Sequence, residues 1–163
     1  MVSNATVPNA MPRDLILDRF LPYRLSYTSN LVSDAIADTY KSLFGLSIPE
    51  WRLVALIAER EGITQQEIGA LSRMDKVTVS RAAIALADRG LIERQPNPAD
   101  KRSQLLTLSE AGRALYASVA PKALEMEHAV FGRFSQAELD AFTAMLRRID
   151  AAVLDAADDY RAG

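Results

Sequence analysis

The feature that most constrains the fold is a β-hairpin with a charged tip that directly follows an amphipathic helix. The segment LIERQPNPADKRSQLLTL contains two strand-like stretches, 91–95 and 103–108, joined through a turn-forming Asn-Pro-Ala sequence. Asn and Pro favour turns, and the β-compatible apolar residues after them favour a returning strand. We therefore expect three charged side chains to project from the loop of the hairpin: Asp100, Lys101 and Arg102.

Two predicted helices precede the hairpin and form a helix-turn-helix arrangement. The first begins after Thr64, which forms a capping box with Glu67. After a turn of about four residues, the second begins after Asp75 and ends before Gly90. Its apolar residues recur at i, i+3, i+4 and i+7, a spacing that predicts one buried face: Val79, Ala82, Ala83 and Leu86.

The opposite face of the second helix carries side chains suited to a DNA major groove. Short donors such as Thr78 and Ser80 can approach base edges, and longer cations can reach phosphates or guanine edges. An arbitrary helix with such a face is more often a solvated amphipathic surface. The charged hairpin beside it favours a winged helix, so we predict DNA contacts from the following residues: Lys76, Val77, Thr78, Ser80, Arg81, Asp100, Lys101 and Arg102.

Long helices are predicted on both sides of this region, so the fold class is mainly α within α+β. One helix runs over 14–44 and ends at Gly45. Another begins after Ser109 and is interrupted or bent near Pro121, because proline removes a backbone hydrogen bond. Capping boxes, with Ser three residues ahead of Glu, start two more helices, near 48–60 and 136–158.

Composition excludes most catalytic and metal-binding classes. The chain has no cysteine and one histidine, His128, which argues against thiol chemistry, a histidine-based triad and a metal site. No Gly-rich phosphate loop, nucleophile elbow or metal-spaced carboxylate set occurs, so we expect no enzyme, catalytic residue, metal or cofactor. The net charge of −2 gives no hint of nucleic acid, although residues 64–104 are mildly basic. Without an apolar membrane span or signal-peptide pattern, the protein is expected to be cytoplasmic.

The residues around the hairpin resemble the MarR family of bacterial regulators. The resemblance implies a winged helix-turn-helix in which Arg102 enters the DNA minor groove while Asp100 orients it. Where the family usually has a polar residue in the recognition helix, this chain has Ile84, so we expect base reading to concentrate in residues 76–81. The matching stretches lie within about residues 15–155 and are FGLSIPEWRLVALI (44–57), LADRGLIER (86–94), Asp100-Lys101-Arg102 and LTLSEAG (106–112).

The resemblance also implies a homodimer in which the N-terminal and the last two helices interlock, so that paired recognition helices read a palindromic operator. The expected organisation is a flexible tail (1–13), an N-terminal dimerisation helix (14–46), a DNA-binding domain (47–108) and C-terminal dimerisation helices (109–163). The apolar residues of the terminal helices exceed what a lone DNA-binding module covers, although they could instead close an intramolecular core: Leu15, Leu17, Phe20, Leu21, Leu139, Phe142, Met145, Leu146, Ile149, Val153 and Leu154.

Members of the family commonly bind small aromatic acids or related metabolites between the dimer helices and the winged helix, and then lose DNA affinity. Here Arg24, Ser29 and Trp51 could supply a cation, a hydroxyl and an aromatic plate for a phenolic or anionic ring, although a tryptophan more often packs in a core. The segment FGLSIPEWR is similar in sequence to the branch of the family that senses hydroxycinnamates and their CoA thioesters. The expected function is a repressor released by an aromatic effector. Two alternatives stay open: a winged-helix protein-interaction module and a DNA-binding regulator without a ligand.

Overall fold

The computed structural model describes the backbone of residues 15–162 and the side chains of residues 15–157, so the predicted tail, 1–13, lies outside the described residues. This part of the chain forms six α-helices and three short strands, which confirms the predicted mainly helical class with a small sheet. The chain divides into two compact units between Ile48 and Pro49. The elements are α1 (Leu21–Phe44), α2 (Ile48–Glu59), β1 (Ile63–Thr64), α3 (Gln65–Ser72), α4 (Lys76–Asp88), β2 (Ile92–Pro96), β3 (Gln104–Leu108), α5 (Glu110–Phe131) and α6 (Gln136–Ala162).

The first helix begins seven residues later than the apolar pattern predicts, at Leu21 instead of residue 14. Pro22 explains the difference, because its ring would clash with the carbonyl four residues earlier if the helix continued backwards. Phe20 is extended, with φ −84° and ψ 105°, and a 3-10 turn, Leu17–Arg19, precedes it. The other end is as predicted: Gly45 adopts φ 62°, and its N–H donates to the Lys41 carbonyl at 3.0 Å.

The second unit contains a three-stranded antiparallel sheet in the order β1-β3-β2. The two strands of the hairpin pair in register from Ile92 opposite Leu108 to Pro96 opposite Gln104. Sequence reasoning missed the third strand, because β1 has only two residues and is defined by its pairing of Ile63 with Leu106. This pairing attaches the start of α3 to the hairpin, so the helix-turn-helix and the hairpin form one structural block.

The core of the second unit lies under α4. All four residues of its predicted apolar face are buried: Val79, Ala82, Ala83 and Leu86. Buried residues from the neighbouring elements complete this core: Leu53, Val54, Ile57, Ile68, Ile92, Leu106 and Leu108. Because close-packed side chains resist displacement, the outward face of α4 is held in one orientation relative to the hairpin.

The start of α5 is tied to the residue before β2. Ser109 caps the helix by accepting a hydrogen bond from the Gly112 N–H at 3.0 Å, and the Ser109 N–H donates to the Leu91 carbonyl at 3.1 Å. A Cβ at position 112 would overlap that same Leu91 carbonyl oxygen. Glycine is therefore required at this position by the close approach of two backbones.

Of the two outcomes predicted at Pro121, an interruption or a bend, the interruption is wrong, since α5 runs unbroken from Glu110 to Phe131. Proline leaves the carbonyl of Ala117 without its helical partner. Both Pro121 and Ala117 are exposed, so water can hydrate that carbonyl and the helix loses little by continuing.

The predicted apolar residues of the terminal helices divide into two groups. Three of them are half-buried: Leu139, Leu146 and Ile149. The others are exposed in the single chain: Leu15, Leu17, Phe20, Leu21, Phe142, Met145, Val153 and Leu154. Within residues 15–162, no helix combines the length and the apolar character needed to cross a bilayer.

Candidate nucleic-acid interface

The outward face of α4 presents the residues that sequence reasoning assigned to DNA. Lys76, Val77 and Arg81 are exposed, whereas Thr78 and Ser80 are half-buried. Ile84 is 49% exposed, one turn beyond Arg81 on the same side. The face therefore carries two cations, two short hydroxyls and two β-branched apolar residues on a helix whose other side is fully packed.

The N-terminus of α4 is capped by Asp75, as the sequence predicts. Asp75 accepts from the Thr78 backbone N–H at 2.8 Å through Oδ1 and from the Thr78 hydroxyl at 2.7 Å through Oδ2. These hydrogen bonds, of which the backbone one has the larger effect, lower the pKa of Asp75 below its usual value. One expectation changes: Thr78 cannot act as a free hydroxyl donor toward DNA in this arrangement, because its proton already points to Asp75.

The turn of the hairpin, hereafter the wing (residues 97–103), is built by two polar side chains. Asn97 Nδ2 donates to Ser103 Oγ at 2.8 Å, and Asn97 Oδ1 accepts from the Ala99 N–H at 3.0 Å. Ser103 donates from both its N–H, at 3.0 Å, and its hydroxyl, at 3.1 Å, to the Asp100 carbonyl. The wing is thus ordered by its own hydrogen bonds and leaves its charged residues available.

Asp100 and Arg102 form the local pair that the family resemblance implies. Asp100 Oδ1 accepts from the Arg102 N–H at 3.0 Å and lies 3.4 Å from Arg102 Nε. The Arg102 side chain is 92% exposed, so the ion pair adds little stability but limits the directions in which the guanidinium can point. Lys101 is also exposed between them.

The wing adjoins the start of α3, a neighbour that sequence reasoning missed. A cleft of about 430 Å³ lies between these segments and is lined by Thr64, Gln65, Gln66, Lys101, Arg102, Ser103 and Gln104. The two α3 amides and Gln104 face the same opening as the wing cations. No signal in the sequence indicated this cleft, because two polar residues such as Gln65 and Gln66 are common at the start of a helix. Their position beside the wing results from the pairing of β1 with β3.

The three candidate ligand-binding residues lie on two elements. Arg24, on α1, contacts Asp18 at 3.2 Å and lies 5.2 Å above the Tyr27 ring, and Ser29 is exposed on the same helix. Trp51, on α2 in the second unit, is half-buried and stacks on Tyr116 with ring centroids 5.9 Å apart and 17° between planes. One face of the predicted aromatic plate is therefore already occupied by a tyrosine.

The single histidine of the sequence lies on α5. His128 is exposed on α5 and borders a cleft of about 620 Å³ between α5 and α6 that also includes Leu124, Phe131, Asp140 and Phe142. Across the described part of the chain, no three His, Cys, Asp or Glu side chains converge on a position that could hold a metal ion.

Comparisons with known proteins agree with this geometry. The MarR family matches residues 46–104 of the chain. The transcriptional regulator HosA of Escherichia coli O111:H- is 27% identical over 104 residues, which are 64% of this chain and 77% of HosA. The crystal structure of a MarR/EmrR family transcriptional regulator from Acinetobacter sp. ADP1 has a TM-score of 0.80 at 26% identity, and the match covers 86% of this chain and 99% of that one.

Two further crystal structures share the fold. Sco3205, a MarR family regulator from Streptomyces coelicolor solved in complex with DNA, has a TM-score of 0.76 at 22% identity, covering 88% of this chain and 92% of that one. CouR from Rhodococcus jostii RHA1, solved bound to p-coumaroyl-CoA, has a TM-score of 0.74 at 22% identity, covering 83% of this chain and 95% of that one.

Proposed function

The chain carries a MarR family domain over residues 46–104, and from this premise we propose that it represses transcription from a palindromic operator as a homodimer. The domain makes the protein a DNA-binding transcriptional regulator of MarR type and not an enzyme. The observation that carries the proposal is the wing arginine: Arg102 is 92% exposed, yet Asp100 holds it in place. A guanidinium presented in this way fits a narrow minor groove, where the potential is most negative.

In the proposed complex, α4 lies in the major groove and the wing in the adjacent minor groove. Lys76 reaches a phosphate, and Arg81 can form a bidentate pair with a guanine edge. The cleft beside the wing suits a phosphate between the two grooves, with Gln65 and Gln66 as neutral donors and Lys101 as the cation. The helix face, the wing and the cleft would then all follow one stretch of duplex.

Salt dependence tests the proposal against a protein-interaction module. Selection from random duplexes should return a palindromic motif, and log affinity should fall steeply with log salt, because each neutralised phosphate contributes a slope of about −0.9. Arg81→Ala should weaken binding by about 1–3 kcal/mol and relax base preference at one position of each half-site. A chain that binds no duplex in a salt-dependent way would refute the proposal.

The proposed homodimer uses the terminal helices. Phe142, Met145, Val153 and Leu154 remain exposed on α6, and apolar side chains at this density are usually covered by a partner. A two-fold axis would place two recognition helices about one DNA turn apart, which is the spacing that a palindrome requires. Sedimentation of the full chain at several concentrations measures this association directly.

A small aromatic acid, a phenolic compound or a CoA thioester is the proposed effector, with Arg24, Ser29 and Trp51 as its candidate contacts. CouR, which shares the fold, was solved with p-coumaroyl-CoA, and the Trp51–Tyr116 stack supplies aromatic surface of the kind that lines sites for planar ligands. An effector that releases DNA must bind the DNA-free form more tightly, because the two affinities are linked. Trp51 is the one tryptophan of the chain, so its fluorescence reports binding.

The effector experiment measures Trp51 fluorescence and duplex affinity together against a panel of aromatic acids and thioesters. The expected result is at least one compound that changes the fluorescence and weakens DNA binding over the same concentration range. If no compound does both, the ligand-independent regulator becomes the better description, while the DNA-binding proposal stands.

A further inference from the structure

We propose that Asp75 is a specificity-determining residue, because it fixes the half-buried hydroxyl of Thr78 as a hydrogen-bond acceptor toward DNA. The inference rests on the proposed function, since it concerns how α4 reads bases once it occupies the major groove. Thr78 would then select bases that carry an exocyclic amine in that groove. Asp75 itself need not touch DNA, and it would act by positioning a single proton.

The geometry at the start of α4 carries this assignment. The Thr78 hydroxyl donates to Asp75 Oδ2 at 2.7 Å, and the Thr78 backbone N–H donates to Asp75 Oδ1 at 2.8 Å. A threonine hydroxyl has one proton and two lone pairs. With the proton held by the carboxylate, only the lone pairs remain for a base edge.

The direction of the hydrogen bond from the Thr78 hydroxyl to Asp75 is fixed at neutral pH. The same hydrogen bonds lower the pKa of Asp75, so its carboxylate stays ionised at neutral pH and cannot donate a proton back to Thr78. Ser80 makes a useful contrast, because no hydrogen-bond partner holds its hydroxyl within the described residues. Ser80 can therefore donate or accept, whereas Thr78 is restricted to accepting.

The restriction has a defined consequence for base recognition. In the major groove, adenine and cytosine present amine donors, whereas guanine O6 and thymine O4 are acceptors. An acceptor-only Thr78 favours adenine or cytosine at the base it faces and disfavours guanine or thymine. Two acceptors placed opposite each other leave a desolvated group without a partner, which costs more than a lost bond.

The substitution Asp75→Asn releases the Thr78 proton while keeping the helix cap. Asparagine caps helices about as well as aspartate, and its carbonyl oxygen can still accept from the Thr78 N–H. Its amide nitrogen then takes the place of Oδ2 and donates to Thr78 Oγ1, which frees the hydroxyl proton. The variant hydroxyl keeps one lone pair and gains a mobile proton, so it can donate or accept as Ser80 can, and the preference for adenine or cytosine should be lost.

The experiment is a selection from duplexes randomised over the half-site, performed at one salt concentration with four proteins. The parent should select an amine-bearing base at one position of each half-site with a roughly 3- to 10-fold preference, and Asp75→Asn should abolish that preference. Thr78→Val, which keeps the shape and removes the hydroxyl, should lose the preference at that position alone. Asp88→Asn, the control, removes the same charge from an exposed residue at the far end of α4 and should select the parent motif.

The outcomes separate the two proposals. If the parent selects a motif but Asp75→Asn or Thr78→Val selects the same base at every position, the inference is overturned and the proposed function stands. A parent that selects no motif refutes the proposed function and the inference with it. Melting curves verify that each variant is folded, and Thr78→Val provides the decisive comparison if Asp75→Asn is not.

Discussion

Replacing Gly112 by alanine should destabilise the protein, although alanine is the better helix former. Gly112 lies in the first turn of α5, and a Cβ there would overlap the Leu91 carbonyl oxygen. The overlap involves backbone on both sides, so no flexible side chain can move away to relieve it. The same carbonyl accepts the Ser109 N–H at 3.1 Å, so moving it also strains the cap of α5.

The magnitude follows from three contributions. Overpacking costs about 1–3 kcal/mol, and a weakened hydrogen bond at the Leu91 carbonyl costs about 1 kcal/mol more. The helix propensity of alanine over glycine returns about 1 kcal/mol. The net loss is about 1–3 kcal/mol, which lowers Tm by roughly 3–10 °C for a chain of this size.

Gly69→Ala is the matched control, because Gly69 also lies within a helix, α3. A Cβ at position 69 would meet the Met74 carbonyl oxygen at 3.4 Å and Val79 Cγ2 at 3.9 Å, which are ordinary contact distances. With no clash to offset the propensity gain, this variant should be stabilised by about 0.5–1 kcal/mol. The two alanine substitutions are therefore expected to have opposite signs.

Urea denaturation and thermal melting followed by circular dichroism measure both variants. The protomer concentration must be the same throughout, since association shifts apparent stability. An unchanged m-value would attribute the shift in midpoint to stability itself. If Gly112→Ala is as stable as the parent, the close backbone approach at Leu91 does not constrain the fold and the reasoning is refuted.

Three further predictions concern the wing, the terminal helix and the helix caps. Arg102→Ala should weaken operator binding at fixed salt far more than Lys101→Ala, with melting temperatures nearly unchanged because both side chains are exposed; equal affinities would make the wing a solvated charge cluster. Deleting residues 136–163 should yield aggregate or unfolded monomer in sedimentation, and a well-folded monomer would contradict the dimer. Hydrogen bonds from Thr64, of which the backbone one has the larger effect, lower the pKa of Glu67. The stability that the ionised Glu67 contributes to the fold is therefore present above pH about 5 and lost as pH falls through the folded-state pKa. Glu67→Gln, which keeps the capping box, should flatten that acid dependence in melting curves recorded from neutral to acidic pH.

Features that depend on neighbouring residues in the chain could be predicted from the sequence. The buried face of α4 follows from apolar spacing, and the Thr64–Glu67 and Asp75 caps follow from residues three positions apart. Gly45 and Gly90 end helices because only a residue without a Cβ adopts positive φ readily, and both do so, at 62° and 68°. The MarR resemblance added the expected pairing of Asp100 with Arg102, whose contact spans two residues.

Predictions from local sequence patterns failed at two prolines. At one, a steric clash overrode the apolar spacing; at the other, solvent compensated for the hydrogen bond that the proline removes. The apolar stripe before α1 predicted helix from residue 14, but Pro22 delays the start to Leu21. Pro121 predicted an interruption or a bend in α5, but the freed carbonyl lies at an exposed position and the helix continues without interruption. Pro22 acted through its own ring, whereas the effect of Pro121 depended on the exposure of the carbonyl that it left without a helical partner.

Only the tertiary structure could bring distant segments together at the candidate interface. Pairing of Ile63 with Leu106 brings Gln65 and Gln66 beside the wing, and the Trp51–Tyr116 stack joins residues from α2 and α5. The closeness of Gly112 to Leu91 likewise arises from packing between elements. Spacing along a chain specifies which face of a helix is apolar, because that is set by a few consecutive dihedral angles. Which distant face it meets depends on the packing of the whole core, and no short stretch of sequence contains that information.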